Sequence, residues 1–219
     1  MTGISGDSGA TVLTGAQDVL MVVDVQRDFC LGGALGVADG DEVVPVINGL
    51  TPKFGRWVYT RDWHPHDHVS FSDRGGAWPP HAVQGTQGAA WCEGLEMPMN
   101  AILISKGDNP EIEEYSGFPK QRLDLAQFLR LRKVERVFIA GLTADYCIRT
   151  TALDARAAGF TVFVVEDAVR GVAPDTTAQA YADMEAAGVI LIRSDQIADS
   201  GERPPAAYDE HGNPMHHGD

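Results

Sequence analysis

Short apolar runs that alternate with helical stretches constrain the fold of this chain more than any other feature. Near-continuous hydrophobicity is typical of strands buried on both faces of a parallel sheet, and it occurs at residues 19–25, 57–60, 101–104, 137–140, 161–165 and 189–192. Helical stretches fall between them, at residues 123–131, 145–158 and 176–187. Gly159 and Gly188 follow two of these helices, as C-caps do. The alternation predicts an α/β fold, a three-layer α/β/α sandwich.

The length of 219 residues suits one domain. We place that domain at residues 17–199. Residues 1–16, rich in Gly, Ser and Thr, are expected to be a flexible N-terminal segment, and residues 200–219 a polar C-terminal tail.

Charge and hydropathy argue against several classes of partner. The formal net charge is −14, and there is no basic patch to bind nucleic acid or an anionic membrane. No run approaches the roughly 20 apolar residues of a membrane span, and the first 16 residues do not resemble a signal peptide. Three cysteines without a close pair fit a reducing compartment. We therefore expect a cytoplasmic protein with a small-molecule partner; a homo-oligomer stays open.

Polar residues follow the first four predicted strands. Asp24 closes the first, Asp62 and His64 follow the second, Lys106 follows the third and Cys147 the fourth. Ligands of open α/β sheets bind outside the carboxyl ends of the strands, so these side chains are expected to gather at one edge of the sheet.

The segment Asp62-Trp63-His64 and the later His81 suit a divalent metal. One carboxylate and two imidazoles leave coordination positions open, as catalytic sites do, and this donor set suits zinc, iron or manganese. An Asp-x-His pair is also common in surface turns. Whether His68 or Asp73 assists the metal is left open by the sequence.

Cys147 is predicted in the first turn of a helix. Free backbone N–H groups and the helix dipole favour a thiolate there, and they could also stabilise an oxyanion. The alternative is a small buried apolar residue. Asp24 is expected to be desolvated and able to transfer a proton, unless it only caps the next turn. Lys106 would hold the charges of both groups, unless it reaches to solvent. Phe29 and Trp78 could sandwich a flat ring, which suggests a small heteroaromatic amide as substrate.

Six segments in order resemble the isochorismatase-like cysteine hydrolases and, within them, the nicotinamidases. These segments are Asp24 to Phe29, Asp62 to Pro65, Trp78 to His81, Ser105 to Gly107, Tyr115 to Phe118 and Gly141 to Cys147. The chain departs from common family patterns at residues 82–86 and 142–145, without losing a catalytic group.

The resemblance implies the isochorismatase-like hydrolase fold with a six-stranded, mostly parallel sheet. It also implies a catalytic triad of Asp24, Lys106 and Cys147, and one divalent metal ion held by the Asp62, His64 and His81 group. Nicotinamide would stack between Phe29 and Trp78, and the N–H groups of Thr143 and Cys147 would form the oxyanion hole. In this family the peptide bond before the residue matching Thr143 is typically cis.

The function so implied is hydrolysis of nicotinamide, and also of pyrazinamide, through a cysteine thioester. One alternative is an amidohydrolase of the same fold that acts on a carbamoyl, ureido or maleamate-type amide. An alternative of another class is a non-catalytic small-molecule binding module, which would be expected to have lost part of the triad.

Overall fold

The computed structural model describes residues 10–119 and 124–205. Its strands are β1 (Val12–Thr14), β2 (Asp18–Val23), β3 (Trp57–Asp62), β4 (Ile102–Lys106), β5 (Arg136–Leu142), β6 (Thr161–Arg170), β7 (Ile190–Ile192) and β8 (Ile197–Asp199). Its α-helices are α1 (Val43–Leu50), α2 (Leu125–Leu131), α3 (Arg149–Ala157) and α4 (Pro174–Ala186). A π-helical turn, Ala144–Ile148, leads directly into α3.

Six strands form the main sheet in the order β4-β3-β2-β5-β6-β7, and every neighbouring pair is parallel. Parallel neighbours need crossover connections, which the helices supply. The predicted α/β fold with a six-stranded parallel sheet is confirmed.

Central strand β2 shows how the layers are built. Val19, Met21 and Val23 point to one face and belong to the same core cluster as buried residues of α2, α3 and α4. Leu20 and Val22 point to the other face and pack in a second cluster with buried residues of α1. Because side chains alternate along a strand, one apolar run supplies both cores, which gives the three-layer sandwich. In the described part of the chain no helix is long and apolar enough to cross a membrane.

The strand ends differ from the sequence-based bounds in a way that matters for the site. β2 stops at Val23 because Asp24 takes a left-handed conformation with φ of 50°. β3 and β4 run further than predicted, since Asp62 pairs with Lys106 as the last pair of their ladder. Asp62 and Lys106, two of the candidate site residues, are therefore part of the sheet itself.

The predicted helices are present with shifted ends. Asp124 caps α2 by accepting a hydrogen bond from Gln127 N at 2.8 Å, while Leu123 lies outside the described residues. α4 begins at Pro174, a residue suited to a first helical turn. Gly159 and Gly188 both have positive φ, 93° and 80°, as predicted for C-caps.

The folded region extends beyond residues 17–199. β1 pairs in parallel with β8, and Ser200 N donates to Thr14 O at 3.0 Å, so residues 12–14 are held in place rather than flexible. Ile197 is buried in the core, which anchors this small sheet. The rest of the predicted terminal segments, residues 1–9 and 206–219, lies outside the described residues.

Candidate active site

Cys147 lies in the turn between β5 and α3. The peptide bond between Leu142 and Thr143 is cis, as the resemblance implies. Tyr146 N and Ile148 N both donate to Thr143 O, at 3.2 and 3.1 Å, and so wind the π-helical turn around the cysteine. The Cys147 side chain is buried and faces a cavity at the carboxyl edge of the sheet.

Lys106 is the centre of the charged cluster beside Cys147. Its Nζ lies 2.8 Å from Asp24 Oδ2, 2.5 Å from Asp62 Oδ1 and 3.5 Å from Cys147 Sγ, and its side chain is fully buried. Burial alone would lower the lysine pKa, but the charges of Asp24 and Asp62 outweigh it and raise that pKa well above its usual range. The lysine therefore stays charged inside the protein and does not reach to solvent.

Asp24 is held directly after β2. Its Oδ1 accepts a hydrogen bond from Thr60 Oγ1 at 2.7 Å, and its backbone N–H donates to Thr60 O. It does not cap the 3₁₀ turn Arg27–Phe29, whose N-cap is Gln26. Complete burial raises the pKa of Asp24 against the opposing charge of Lys106. A carboxylate in this position can accept and return a proton.

The thiol pKa of Cys147 is set by burial and by three charged neighbours. Burial raises its pKa well above the usual value; Lys106 opposes that shift, whereas Asp24 and Asp62 add to it. The direction of this shift favours a neutral thiol, so nucleophilic attack requires a base such as Asp24, whose carboxylate lies within 4.8 Å.

Asp62, His64 and His81 form a buried group whose ligand atoms lie within 4.8 Å of one another. His64 Nδ1 contacts Gly107 O, and His81 Nδ1 contacts Pro79 O, both at 2.8 Å. A carbonyl only accepts, so each Nδ1 carries the hydrogen and each Nε2 keeps its lone pair for a ligand.

The charges of this group also suit a cation. Burial raises the pKa of Asp62, but the interactions with its neighbours, foremost the charge of Lys106, outweigh burial and hold that pKa well below its usual range. Burial lowers the pKa of His81, which keeps its imidazole neutral. An ionised carboxylate and two directed Nε2 atoms fit a divalent metal ion.

His68 and Asp73, left open by the sequence, lie outside this ligand group. Both ring nitrogens of His68 are engaged, Nδ1 with Ser70 Oγ at 2.7 Å and Nε2 with Ile112 O at 3.0 Å. Its ring instead packs on that of His64, with centroids 4.1 Å apart. Asp73 lies on an exposed 3₁₀ turn. His68 thus supports the orientation of His64.

Cys147, Asp62 and His81 face one cavity of about 320 Å³, which Phe29 and Trp78 also line. The walls of the cavity also include residues to which we assigned no role from the sequence, among them Leu35, Tyr115, Tyr146 and Val172. Trp78 Nε1 donates to Tyr115 Oη at 3.1 Å, and the indole meets the Tyr146 ring edge-on at 5.1 Å. The cavity has the size and aromatic lining that suit a small flat ring.

Gln26 is a further site residue without a role from the sequence alone. Its side-chain amide bonds the backbone of Asp62 in both directions: Asp62 N donates to Oε1 at 2.7 Å, and Nε2 donates to Asp62 O at 2.8 Å. Gln26 lies in the segment after β2 that also carries Asp24, but its partner Asp62 is 36 positions away in the chain, so the sequence did not show the contact. Gln26 fixes the end of β3 where the carboxylate projects.

Residues 18–196 match the family model described as isochorismatase domain. The chain belongs to the isochorismatase family. Among family members, the nicotinamidase of Acinetobacter baylyi is 38% identical over 199 residues, covering 81% of this chain and 93% of that protein.

Solved structures of similar proteins support this family assignment. The pyrazinamidase of Pyrococcus horikoshii in complex with zinc is 43% identical, with a TM-score of 0.76 over 81% of this chain and 99% of that one. The PnC1 protein of L. infantum in complex with nicotinate is 35% identical, with a TM-score of 0.82 over 87% of this chain and 100% of that one.

Proposed function

We propose that this chain is a metal-dependent nicotinamidase, which hydrolyses nicotinamide to nicotinate and ammonia. The observation that carries the proposal is the meeting of a cysteine, a buried carboxylate and an open metal-ligand group around one aromatic-walled cavity. The identity to a nicotinamidase over most of both chains supports the substrate. Pyrazinamide, similar in shape, is expected to be a second substrate.

Acylation begins with proton transfer. Asp24 takes the thiol proton of Cys147, and Sγ forms a bond to the carboxamide carbon of the substrate. The N–H groups of Thr143 and Cys147 stabilise the negative charge that develops on the carbonyl oxygen. Lys106 remains protonated and balances the charges of Asp24 and Asp62 throughout.

The same proton path completes acylation and then serves deacylation. Protonated Asp24 returns its proton to the departing nitrogen as the C–N bond breaks, so ammonia leaves and a thioester to Cys147 remains. Asp24 then takes a proton from a water molecule, whose oxygen attacks the thioester carbon. The C–S bond breaks, Asp24 returns the proton to Sγ and nicotinate leaves, so each turnover consumes one water molecule.

Asp62, His64 and His81 would hold the metal, for which zinc, iron and manganese all suit the donor set. A divalent ion bound there would supply a Lewis-acid position for the pyridine nitrogen. Phe29 and Trp78 line the same cavity as Cys147 and would flank the ring, with the carboxamide toward Cys147.

A maleamate-type substrate fits the cavity less well. Maleamate carries a second carboxylate, whereas the described residues that line the cavity include neither lysine nor arginine. A non-catalytic binding module is also disfavoured, because Asp24, Lys106 and Cys147 are all present and in contact distance.

We further propose the cytoplasm as the working compartment. Cys30, Cys92 and Cys147 are all free thiols in the structure, which suits a reducing environment.

Ammonia release by the metal-loaded protein tests the proposal. We expect release from nicotinamide, slower release from benzamide, which lacks the ring nitrogen, and none from maleamate. Faster release from maleamate, or none from nicotinamide by a folded and metal-loaded sample, would contradict the proposal.

A further inference from the structure

Asp28 lies behind the cavity, and its carboxylate joins two segments that are distant in sequence. Oδ2 accepts from Ala82 N at 2.8 Å, and Oδ1 accepts from Ala34 N at 3.3 Å. We propose that Asp28 is a positioning residue that couples the metal-ligand group to the wall of the substrate cavity. This inference rests on the proposed function.

On the metal side, Asp28 acts through Ala82, which directly follows His81. Ala82 is fully buried with φ of 45°, a conformation that is uncommon for alanine and needs support from its surroundings. Its N–H is held by Asp28, and its carbonyl accepts from His64 N at 3.0 Å. One hydrogen-bonded chain therefore fixes the backbone at both imidazoles.

On the cavity side, Asp28 organises the loop of residues 33–36, which lines the cavity. Its backbone carbonyl accepts from Leu35 N at 2.8 Å, in addition to the bond from Ala34 N. The next residue, Phe29, meets the His81 ring edge-on with centroids 5.8 Å apart. A shift of Asp28 would thus move the cavity wall and the metal group together.

Gly88 leaves the room that the carboxylate occupies. Its carbonyl accepts from Asp28 N at 3.0 Å, and a Cβ added to it would lie 2.1 Å from Asp28 Oδ2. Gly88 is not among the glycines with positive φ, so alanine suits its backbone conformation. Gly88→Ala therefore displaces the Asp28 carboxylate without removing it.

The experiment compares Asp28→Asn and Gly88→Ala with wild type, after thermal unfolding has shown that each variant folds. Asp28→Asn keeps the size of the side chain but presents an NH₂ group to a backbone N–H. One readout is the dissociation constant of zinc, measured by competition with a chromophoric chelator. The other is the separation of KM and kcat for nicotinamide at saturating zinc. Asp41→Asn, an exposed carboxylate on the same side of the molecule, is the control.

We expect zinc affinity to fall about tenfold to a hundredfold in both variants, as for other groups that orient metal ligands. KM should rise severalfold, while kcat stays near the wild-type value because Cys147, Asp24 and Lys106 are untouched. Unchanged zinc affinity and KM in the folded variants, or a loss confined to kcat, would overturn the inference. If wild type binds zinc but releases no ammonia, the proposed function fails while the zinc measurement still decides the role of Asp28.

Discussion

Lys106 is the single residue that most affects the charges of the site. A buried cation between two carboxylates keeps Asp62 ionised for a metal, while Asp24 retains a raised pKa suited to proton transfer. Both carboxylates are buried beside one lysine, and the negative charge of Asp62 adds to burial in raising the pKa of Asp24.

Replacing Asp24 with Asn should remove the base that activates the thiol. Because the resting cysteine is protonated, we expect kcat for nicotinamide to fall about 10²-fold to 10⁴-fold while bound metal stays unchanged. Ammonia release and metal content by elemental analysis measure the two quantities. Asp73→Asn, at an exposed position, is the matched control. A kcat within a few fold of wild type would exclude Asp24 as the base.

Tyr115→Phe should loosen the indole of Trp78, whose Nε1 loses its acceptor. A net hydrogen bond is worth about 0.5–1.5 kcal/mol, so KM for nicotinamide should rise roughly twofold to tenfold with little change in kcat. Steady-state kinetics measure this separation, and Tyr181→Phe on α4 serves as the control. An unchanged KM would show that the hydrogen bond does not hold the ring.

The residue types of the site are visible in the sequence, but their pKa shifts are not. The positions of Asp24, Lys106 and Cys147 at strand ends were sufficient to expect them at one edge of the sheet. The sequence suggests proton transfer from Cys147 to Asp24, but the size of the burial of Cys147 and the approach of two carboxylates from other strands, which raise the thiol pKa, follow only from the fold. Tyr115 and Leu35 reach the cavity from loops whose course no local pattern predicts.

At the scale of elements, the turn after β5 is tied to the start of α4. Asp145, in the π-helical turn, accepts from Val172 N at 3.1 Å, Ala173 N at 3.4 Å and Thr176 Oγ1 at 2.6 Å. Its carboxylate holds the backbone that enters α4 and one side chain of the first helical turn, where Ala173 offers no capping side chain. The turn that carries Cys147 is thereby braced against the neighbouring helix.

Asp145→Ala should therefore destabilise the fold. A hydrogen bond to a charged group is worth about 1.5–3 kcal/mol, and we expect a decrease of roughly that size in the free energy of unfolding, measured by denaturant titration. Asp195→Ala, at an exposed position, should change it by less than about 0.5 kcal/mol. Equal stability of the two variants would contradict the bracing role.

Apolar runs predicted the strands of the main sheet, most clearly at β2, where all six residues are buried. α1 was not predicted: it has only eight residues, and Pro45 and Gly49 on its outer face are poor signals of a helix. β1 and β8 have three residues each, too few to show any period, and their pairing joins opposite ends of the described chain.

At the scale of the whole molecule, the metal group links stability to ligand binding. An ion that binds only the folded chain stabilises it by about 2.7 kcal/mol at one hundred times its dissociation constant. Removing metal with a chelator should lower Tm by roughly 5–10 °C, and adding zinc or manganese should restore it. Differential scanning calorimetry measures the shift.

His81→Ala is the variant that makes this calorimetric test specific. It removes one ligand, so its Tm should no longer respond to zinc, whereas Asp73→Asn should respond as wild type does. A zinc-dependent shift that survives in His81→Ala would place the stabilising ion elsewhere.

The central claim is that Cys147 carries the acyl group during hydrolysis of nicotinamide. The most direct test is ammonia release by Cys147→Ala and wild type at equal metal content, with Cys92→Ala, a buried thiol away from the cavity that Cys147 faces, as control. We predict that Cys147→Ala loses at least about 10³-fold in kcat while it still binds zinc, and that Cys92→Ala keeps its turnover. Turnover near wild type in the zinc-loaded Cys147→Ala protein would contradict the account.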